Sequence, residues 1–158
     1  MTPLSKARLI AILAPTALLG GALISQYVFG LHPCEMCMWQ RWPHLAAIAL
    51  ALVAIVTRTQ RSTSTAFAAI AIAISGGIGA FHAGVEYGWW VGLTACSTTP
   101  VGGSAADILD SIMATPLVRC DVAPWSLFGI SLAGYNALLS VAAAIATLAL
   151  LAKARRAA

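Results

Sequence analysis

Four long apolar segments, separated by shorter polar stretches, dominate the pattern of hydrophobic and polar positions along the chain. Each is close to the roughly 20 residues that an α-helix needs to cross about 30 Å of hydrocarbon. We predict membrane spans at residues 9–29, 42–56, 65–87 and 126–151. The second segment is the shortest, so we expect it to stand upright or to thin the bilayer locally.

The composition excludes a water-soluble fold. The chain is 60% hydrophobic and only 9% charged, so its helices have no polar face to present to water. Small residues recur, as in Ser-Gly-Gly-Ile-Gly at residues 75–79, and they allow helix backbones to approach closely within a membrane. We therefore predict an all-α fold, an integral membrane four-helix bundle that forms a single transmembrane domain over residues 1–158.

The charge distribution predicts the orientation of this bundle. Seven of the nine basic residues fall on one face of the predicted topology: Lys6, Arg8, Arg58, Arg61, Lys153, Arg155 and Arg156. The positive-inside rule assigns that face, and with it both termini, to the cytoplasm. The loops at residues 30–41 and 88–125 then lie outside, in the periplasm of a bacterial cell. The net charge of +4 reflects this topology and is no indication of nucleic-acid binding.

All five tryptophans lie at the outer ends of the predicted spans, as in an interfacial aromatic belt. They are Trp39, Trp42, Trp89, Trp90 and Trp125. The first span could be read as a cleavable signal peptide, which would leave only three spans. We expect it to be retained, because its apolar run is about 20 residues long and has no clear cleavage site.

A short amphipathic helix is predicted inside the second outer loop. Apolar residues recur there at helical spacing, while polar residues face the other way: Ala105, Ile108, Leu109, Ile112 and Met113 against Asp107, Asp110 and Ser111. Such a helix lies in the membrane interface or caps the bundle, and the two roles are compatible.

Four cysteines occupy the outer loops, with Cys34 and Cys37 in the first and Cys96 and Cys120 in the second. A zinc site is disfavoured, since the second pair is widely spaced and no histidine adjoins it in sequence. A disulfide across Cys-x-x-Cys closes too small a loop to be a good structural staple. The pattern favours reactive thiol–disulfide exchange, in a compartment where disulfides persist.

Three motifs give the chain a resemblance to a known family. They are Pro-Cys-Glu-Met-Cys-Met-Trp-Gln-Arg at residues 33–41, His-Ala-Gly-Val-Glu-Tyr-Gly-Trp-Trp at residues 82–90, and Cys-Asp-Val-Ala-Pro-Trp-Ser-Leu-Phe-Gly-Ile-Ser at residues 120–131, which continues through Tyr135 and Asn136. Together with the four spans, these motifs resemble the disulfide bond formation protein B family, DsbB, over essentially the whole chain.

The resemblance implies a protein of the bacterial inner membrane that reoxidises a periplasmic, thioredoxin-fold oxidase of the DsbA type. It implies that the partner attacks Cys96, that Cys120 is displaced and attacks Cys34, and that Cys37 passes electrons to ubiquinone or menaquinone. Disulfide bond formation in secreted proteins would be sustained in this way.

Arg41, His82 and Glu86 are candidate quinone-site residues by the same resemblance. Arg41 lies about one helical turn after Cys37, where its guanidinium can favour a thiolate and a negatively charged oxygen. An interfacial anchor is the alternative for Arg41. His82 and Glu86 are at i and i+4 near the outer end of a span, where a polar pair either lines the quinone pocket or pins helices together.

Two other functions stay open from the sequence. One is a relative that oxidises a dedicated substrate, and the other is a non-enzymatic membrane scaffold with structural disulfides. A quinone-linked reductase of the vitamin K epoxide type is disfavoured, because its reactive pair would lie inside a later span.

Overall fold

The computed structural model describes residues 1–57, 61–93, 104, 106 and 118–157 of the chain. Four long helices occur among these residues: α1 (Pro3–Tyr27), α2 (Glu35–Val56), α3 (Arg61–Glu86) and α4 (Leu132–Arg156). All four are long and apolar enough to cross a membrane. The predicted all-α four-helix membrane bundle is therefore confirmed.

Helix α2 begins at Glu35, well before the predicted second span at residue 42. Its N-cap is Cys34, whose sulfur accepts the backbone N–H of Cys37 at 3.2 Å. The negative charge of Glu35 in the first turn interacts favourably with the positive end of the helix dipole. The helix has 22 residues, so there is no reason to expect an unusually short span. The sequence pattern missed this start because Gln40 and Arg41 interrupt the apolar run.

Helix α4, by contrast, begins later than the predicted span, which starts at residue 126. Ser126–Leu127 (β1) and Ile130–Ser131 (β2) form an antiparallel hairpin instead of a first helical turn. The turn between them requires positive φ at Phe128 (51°) and Gly129 (77°). Ser131 then caps α4 by accepting the N–H of Gly134 at 3.1 Å.

Small residues allow α3 to pack closely on α4. A Cβ atom added at Gly79 would lie 3.0 Å from the carbonyl oxygen of Ala133 and 3.1 Å from the backbone nitrogen of Ala137. A Cβ at Gly76 would lie 3.2 Å from the backbone nitrogen of Val141. These contacts explain the small-residue run in the sequence, since α3 packs there against both backbone and side-chain atoms of α4 with no room for a side chain of its own.

The helices alternate in direction, so the bundle has a cysteine end and a basic end. The cysteine end brings together the start of α2, the end of α3 and the start of α4. The basic end carries Lys6, Arg8, Arg61, Lys153, Arg155 and Arg156. The five tryptophans lie at the cysteine end and are exposed. Arg58, Cys96 and the predicted amphipathic helix at residues 105–113 lie outside the described residues, apart from residue 106, which is helical.

Candidate active site

Cys34 and Cys37 face each other across the first turn of α2. The Cys34 thiol donates a hydrogen bond to the Cys37 sulfur, with the two Sγ atoms 3.0 Å apart. Cys34 is buried and Cys37 is half-buried. The hydrogen bond with Cys37 and burial together raise the pKa of the Cys34 thiol above its usual range. The reduced pair thus holds a proton at Cys34.

Cys120 joins this pair from the segment that precedes α4. Its sulfur, the sulfur of Cys34 and a ring nitrogen of His82 all lie within 4.8 Å of one another. Cys34 therefore adjoins a thiol from each outer loop, which is the arrangement that exchange between the loops requires.

His82 has a defined tautomer in this cluster. The Gln40 side-chain amide donates one hydrogen bond to the Met36 carbonyl oxygen at 3.1 Å and another to Nδ1 of His82 at 2.9 Å. Because Nδ1 accepts, Nε2 carries the hydrogen of the neutral ring. Nε2 lies 3.5 Å from the Cys34 sulfur and 3.7 Å from Oε1 of Glu86.

Glu86 is held behind His82 by the start of α4. The Ser131 hydroxyl donates a hydrogen bond to Oε2 of Glu86, whose side chain is only 2% exposed. Tyr87 fixes the adjoining hairpin, since its hydroxyl donates to the Gly129 carbonyl at 2.9 Å. The structure thus brings the predicted pair, His82 and Glu86, to the dithiol.

Arg41 reaches from α2 to α1. Its Nη1 donates to Oε1 of Gln26 at 2.5 Å, and its Nη2 donates to the Ala22 carbonyl at 3.3 Å. Its Nε is buried and has no hydrogen-bond partner among the described residues. The two hydrogen bonds therefore fix the guanidinium in position and leave its Nε–H available to another acceptor.

Two cavities adjoin the dithiol, and Cys37 lines both of them. The first, of about 220 Å³, lies between α1, α2 and α4, and its polar lining includes Gln40, Arg41 and His44. The second, of about 330 Å³, lies on the loop side and is lined by residues that include Cys34, His82 and Arg119. One wall of the first cavity is mostly aliphatic. It is formed by residues of α1, namely Ala17, Leu18, Leu19, Gly21 and Ala22.

A buried polar network extends from the dithiol into the bundle, and the sequence analysis did not identify it. Asn136 of α4 donates to Oε1 of Gln40 at 2.8 Å, and its Oδ1 accepts from Nε2 of His44 at 2.8 Å. Ser75 of α3 lies 2.9 Å from the same His44 nitrogen. The available signal was the presence of polar residues inside apolar helices, which are costly unless paired.

The fourth cysteine, Cys96, lies outside the described residues, so its predicted pairing with Cys120 stays a prediction. Near Cys120, Arg119 and Asp121 form a bidentate ion pair at the surface. The hydrogen bond from Arg119 lowers the pKa of Asp121. This pair therefore places a positive and a negative group side by side on the loop side of the site.

Comparisons with known proteins agree with the resemblance seen in the sequence. The model of the family described as disulfide bond formation protein DsbB matches residues 5–150. An uncharacterized protein of Rickettsia prowazekii (strain Madrid E) is 29% identical over 136 residues, covering 84% of this chain and 79% of that protein. No solved structure matches the chain. The family match runs from α1 into α4 and includes all four cysteines.

Proposed function

Because the chain belongs to the DsbB family, a membrane thiol oxidoreductase family, we propose that it oxidises a periplasmic DsbA-type dithiol and transfers the electrons to a membrane quinone. The observation that carries this proposal is the position of Cys37. Its side chain lines both the loop-side cavity and the cavity between the helices. One dithiol can therefore react with a protein partner from the loop side and with a lipid-soluble acceptor from the cavity between the helices.

The exchange begins in the second outer loop. A partner thiolate attacks Cys96 of a Cys96–Cys120 disulfide, which forms a mixed disulfide and releases the Cys120 thiolate. Cys120 attacks Cys34 of the Cys34–Cys37 disulfide and releases Cys37. The close approach of Cys120 to Cys34 supports this step.

The partner leaves by a second exchange. Its other thiolate attacks the mixed disulfide, leaves as a disulfide and releases Cys96. Cys96 then attacks Cys120, which restores the loop disulfide and releases Cys34. The net result is one oxidised partner and one reduced Cys34–Cys37 dithiol, with electrons and protons conserved.

The cavity between α1, α2 and α4 fits the ring of a quinone. Much of its lining is aliphatic, and Arg41 Nε is a buried donor with no described partner. A quinone held there would supply the acceptor for two electrons and two protons as the dithiol becomes a disulfide. Arg41 would hold a ring oxygen by a hydrogen bond and stabilise negative charge on it. Gln26 and Ala22 hold the guanidinium for this role.

His82 and Glu86 act on the thiol side of the dithiol. Nε2 of His82 points its hydrogen toward Cys34 and Glu86, so it can stabilise a Cys34 thiolate when one is released. Gln40 fixes the ring by donating to Nδ1. Glu86, held by Ser131, places a carboxyl oxygen 3.7 Å from the same nitrogen.

The test is quinone reduction by the purified protein in detergent, with a reduced DsbA-type partner as the electron donor. We expect turnover to be lost in Cys37→Ser and in Cys96→Ser, and the quinone response to weaken in Arg41→Ala. Arg155→Ala, which removes a charge at the basic end, is the matched control and should keep full turnover. No turnover by the wild type with ubiquinone, menaquinone or any partner would overturn the proposal.

A further inference from the structure

His44 extends the functional face of α2 one turn beyond Arg41. Cys37, Arg41 and His44 are at i, i+4 and i+7, so they lie on one side of the helix over about 10 Å of its axis. All three line the cavity between α1, α2 and α4. His44 is only 3% exposed, and its Nδ1 has no hydrogen-bond partner among the described residues.

The surrounding network determines which nitrogen of His44 carries the hydrogen. Oδ1 of Asn136 can only accept, and it lies 2.8 Å from Nε2. The Ser75 hydroxyl lies 2.9 Å from the same nitrogen and donates its own hydrogen to the Gln40 carbonyl at 2.8 Å. Both groups therefore accept from Nε2–H, and Nδ1 of the neutral ring is a bare acceptor.

The orientation of the Asn136 amide is itself fixed by its other contacts. Its Nδ2 lies 2.8 Å from Oε1 of Gln40 and 3.2 Å from the Ser75 carbonyl oxygen, and both of these are acceptors. Ser140 donates to Oδ1 at 3.0 Å. A flipped amide would place Oδ1 against these two carbonyl oxygens, so the tautomer of His44 follows from the network.

Two residues that line the cavity thus each have a buried polar atom without a partner among the described residues: a donor on Arg41 and an acceptor on His44. Both ring oxygens of a quinone are hydrogen-bond acceptors. The oxygen that does not bind Arg41 therefore cannot form a hydrogen bond with Nδ1, which is also an acceptor. A quinol has a hydroxyl at that position, and a hydroxyl can donate. Resting on the proposed quinone reaction, we propose that His44 Nδ1 accepts a hydrogen bond from a hydroxyl of the quinol, so that the cavity binds the reduced ring more tightly than the oxidised ring.

This selectivity affects the driving force of the reaction. A ligand site that prefers the reduced form of a couple raises the potential of the bound couple. For a two-electron couple, a tenfold preference corresponds to about 30 mV. His44 thereby makes the bound quinone a stronger oxidant of the Cys34–Cys37 dithiol, and it acts as a specificity-determining residue without touching sulfur.

The test compares the affinities of a short-chain ubiquinone and its quinol for the full chain in detergent, without oxygen. A Cys34→Ser, Cys37→Ser background prevents electron exchange, and equilibrium dialysis gives the two dissociation constants. His44→Phe keeps a flat ring of similar size and removes the acceptor, while Oδ1 of Asn136 still accepts from Ser140. We expect the preference for quinol over quinone to fall by about three- to tenfold in that variant. Leu18→Ala, which alters the apolar wall of the same cavity, should weaken both forms equally and keep the ratio.

An unchanged ratio in His44→Phe would overturn the inference while leaving quinone binding intact, and water would then be the partner of Nδ1. If neither the quinone nor the quinol binds the protein that retains His44, the proposed quinone site is overturned as well. A second measurement does not depend on a folded variant. In the ¹⁵N spectrum of histidine-labelled protein, the Nδ1 signal of His44 should be that of a bare nitrogen and should shift when the quinol is added. A hydrogen on Nδ1 in the free protein would contradict the inference.

Discussion

The sulfur atom of Cys34 serves both the helix and the site. It accepts the N–H of Cys37 as the N-cap of α2, donates its thiol hydrogen to the Cys37 sulfur, and lies 3.5 Å from Nε2 of His82. Chemistry at this atom is therefore tied to the first turn of a membrane helix. Its protonation is also set locally, by the neighbouring sulfur and by burial.

The reduced protein should show slow alkylation of Cys34. A raised pKa means that less thiolate is present at any given pH, so the pH–rate midpoint should lie above the ordinary value of about 8.5. The midpoint should move down in Cys37→Ala, which removes the hydrogen bond and the like charge. Iodoacetamide labelling followed by mass spectrometry of the Cys34 peptide measures both profiles. A midpoint at or below the ordinary value in the reduced wild type would contradict this expectation.

Gln26 should be required for the quinone step and dispensable for thiol exchange. Gln26→Leu removes the acceptor that holds Arg41 Nη1. Hydrogen bonds to charged groups contribute about 1.5–3 kcal/mol, so we expect the KM for quinone to rise by about tenfold or more. Steady-state kinetics with varied quinone gives this value, and the rate of partner oxidation in a single turnover should be unchanged.

Gln26→Glu is the matched rescue, because its carboxylate still accepts from the guanidinium. A KM that is the same in Gln26→Leu as in the wild type would show that Arg41 does not depend on α1 for its position.

At the scale of elements, the contact between α3 and α4 depends on positions without a side chain. Gly79 faces backbone atoms of α4, whereas a Cβ at Gly77 of the same helix would meet no atom within 4 Å. The two glycines are close in sequence but differ in what an added methyl group would touch. They form a natural pair for measuring the cost of separating these helices.

Gly79→Ala should lower stability in detergent, and Gly77→Ala should not. An added methyl at Gly79 must push α4 away or strain the contact, which costs about 1–3 kcal/mol in packed interiors. At Gly77 the exposed position leaves only the better helix propensity of alanine, worth up to about 1 kcal/mol. Thermal unfolding monitored by circular dichroism compares the two, and equal losses would exclude a specific role for the Gly79 contact.

The sequence predicted the number of helices and the position of the dithiol well, because both follow from local patterns. Hydropathy reports span count, and Cys-x-x-Cys is contiguous. The helix starts were less predictable, since the start of α2 depends on partners for Gln40 and Arg41 that lie on other helices. The start of α4 depends on a hairpin whose turn includes a non-glycine residue at positive φ.

The network around His44 could not be derived from spacing alone. Its members come from α2, α3 and α4, and their sequence separations carry no period that would connect them. A histidine inside an apolar segment signals that a partner exists, but the partner is set by tertiary packing. By contrast, His82 and Glu86 are one turn apart on one helix, and their pairing follows from helical geometry.

At the scale of the whole molecule, the separation of cysteines from basic residues predicts the orientation. The basic end should face the cytoplasm, so that both termini are inside and the dithiol faces the periplasm. A fluorescent protein that matures only in the cytoplasm should be bright when fused after Ala158. Alkaline phosphatase, which needs an oxidising compartment, should be active when fused after Gly30. The opposite pair of results would place the cysteines in the cytoplasm and remove the proposed partner.

The polar face of α2 also bears on how the protein is made. Gln40, Arg41 and His44 make α2 the least apolar of the four candidate spans, and polar residues within a span are costly to insert until they find partners. Its partners arrive in order of synthesis: Gln26 of α1 is already present, Ser75 of α3 follows, and Asn136 of α4 comes last. The cavity is therefore closed only when the final helix has entered the bilayer. A chain that lacks α4 therefore has the Cys34–Cys37 dithiol but an incomplete cavity, so the proposed quinone reaction would require the last helix to be inserted.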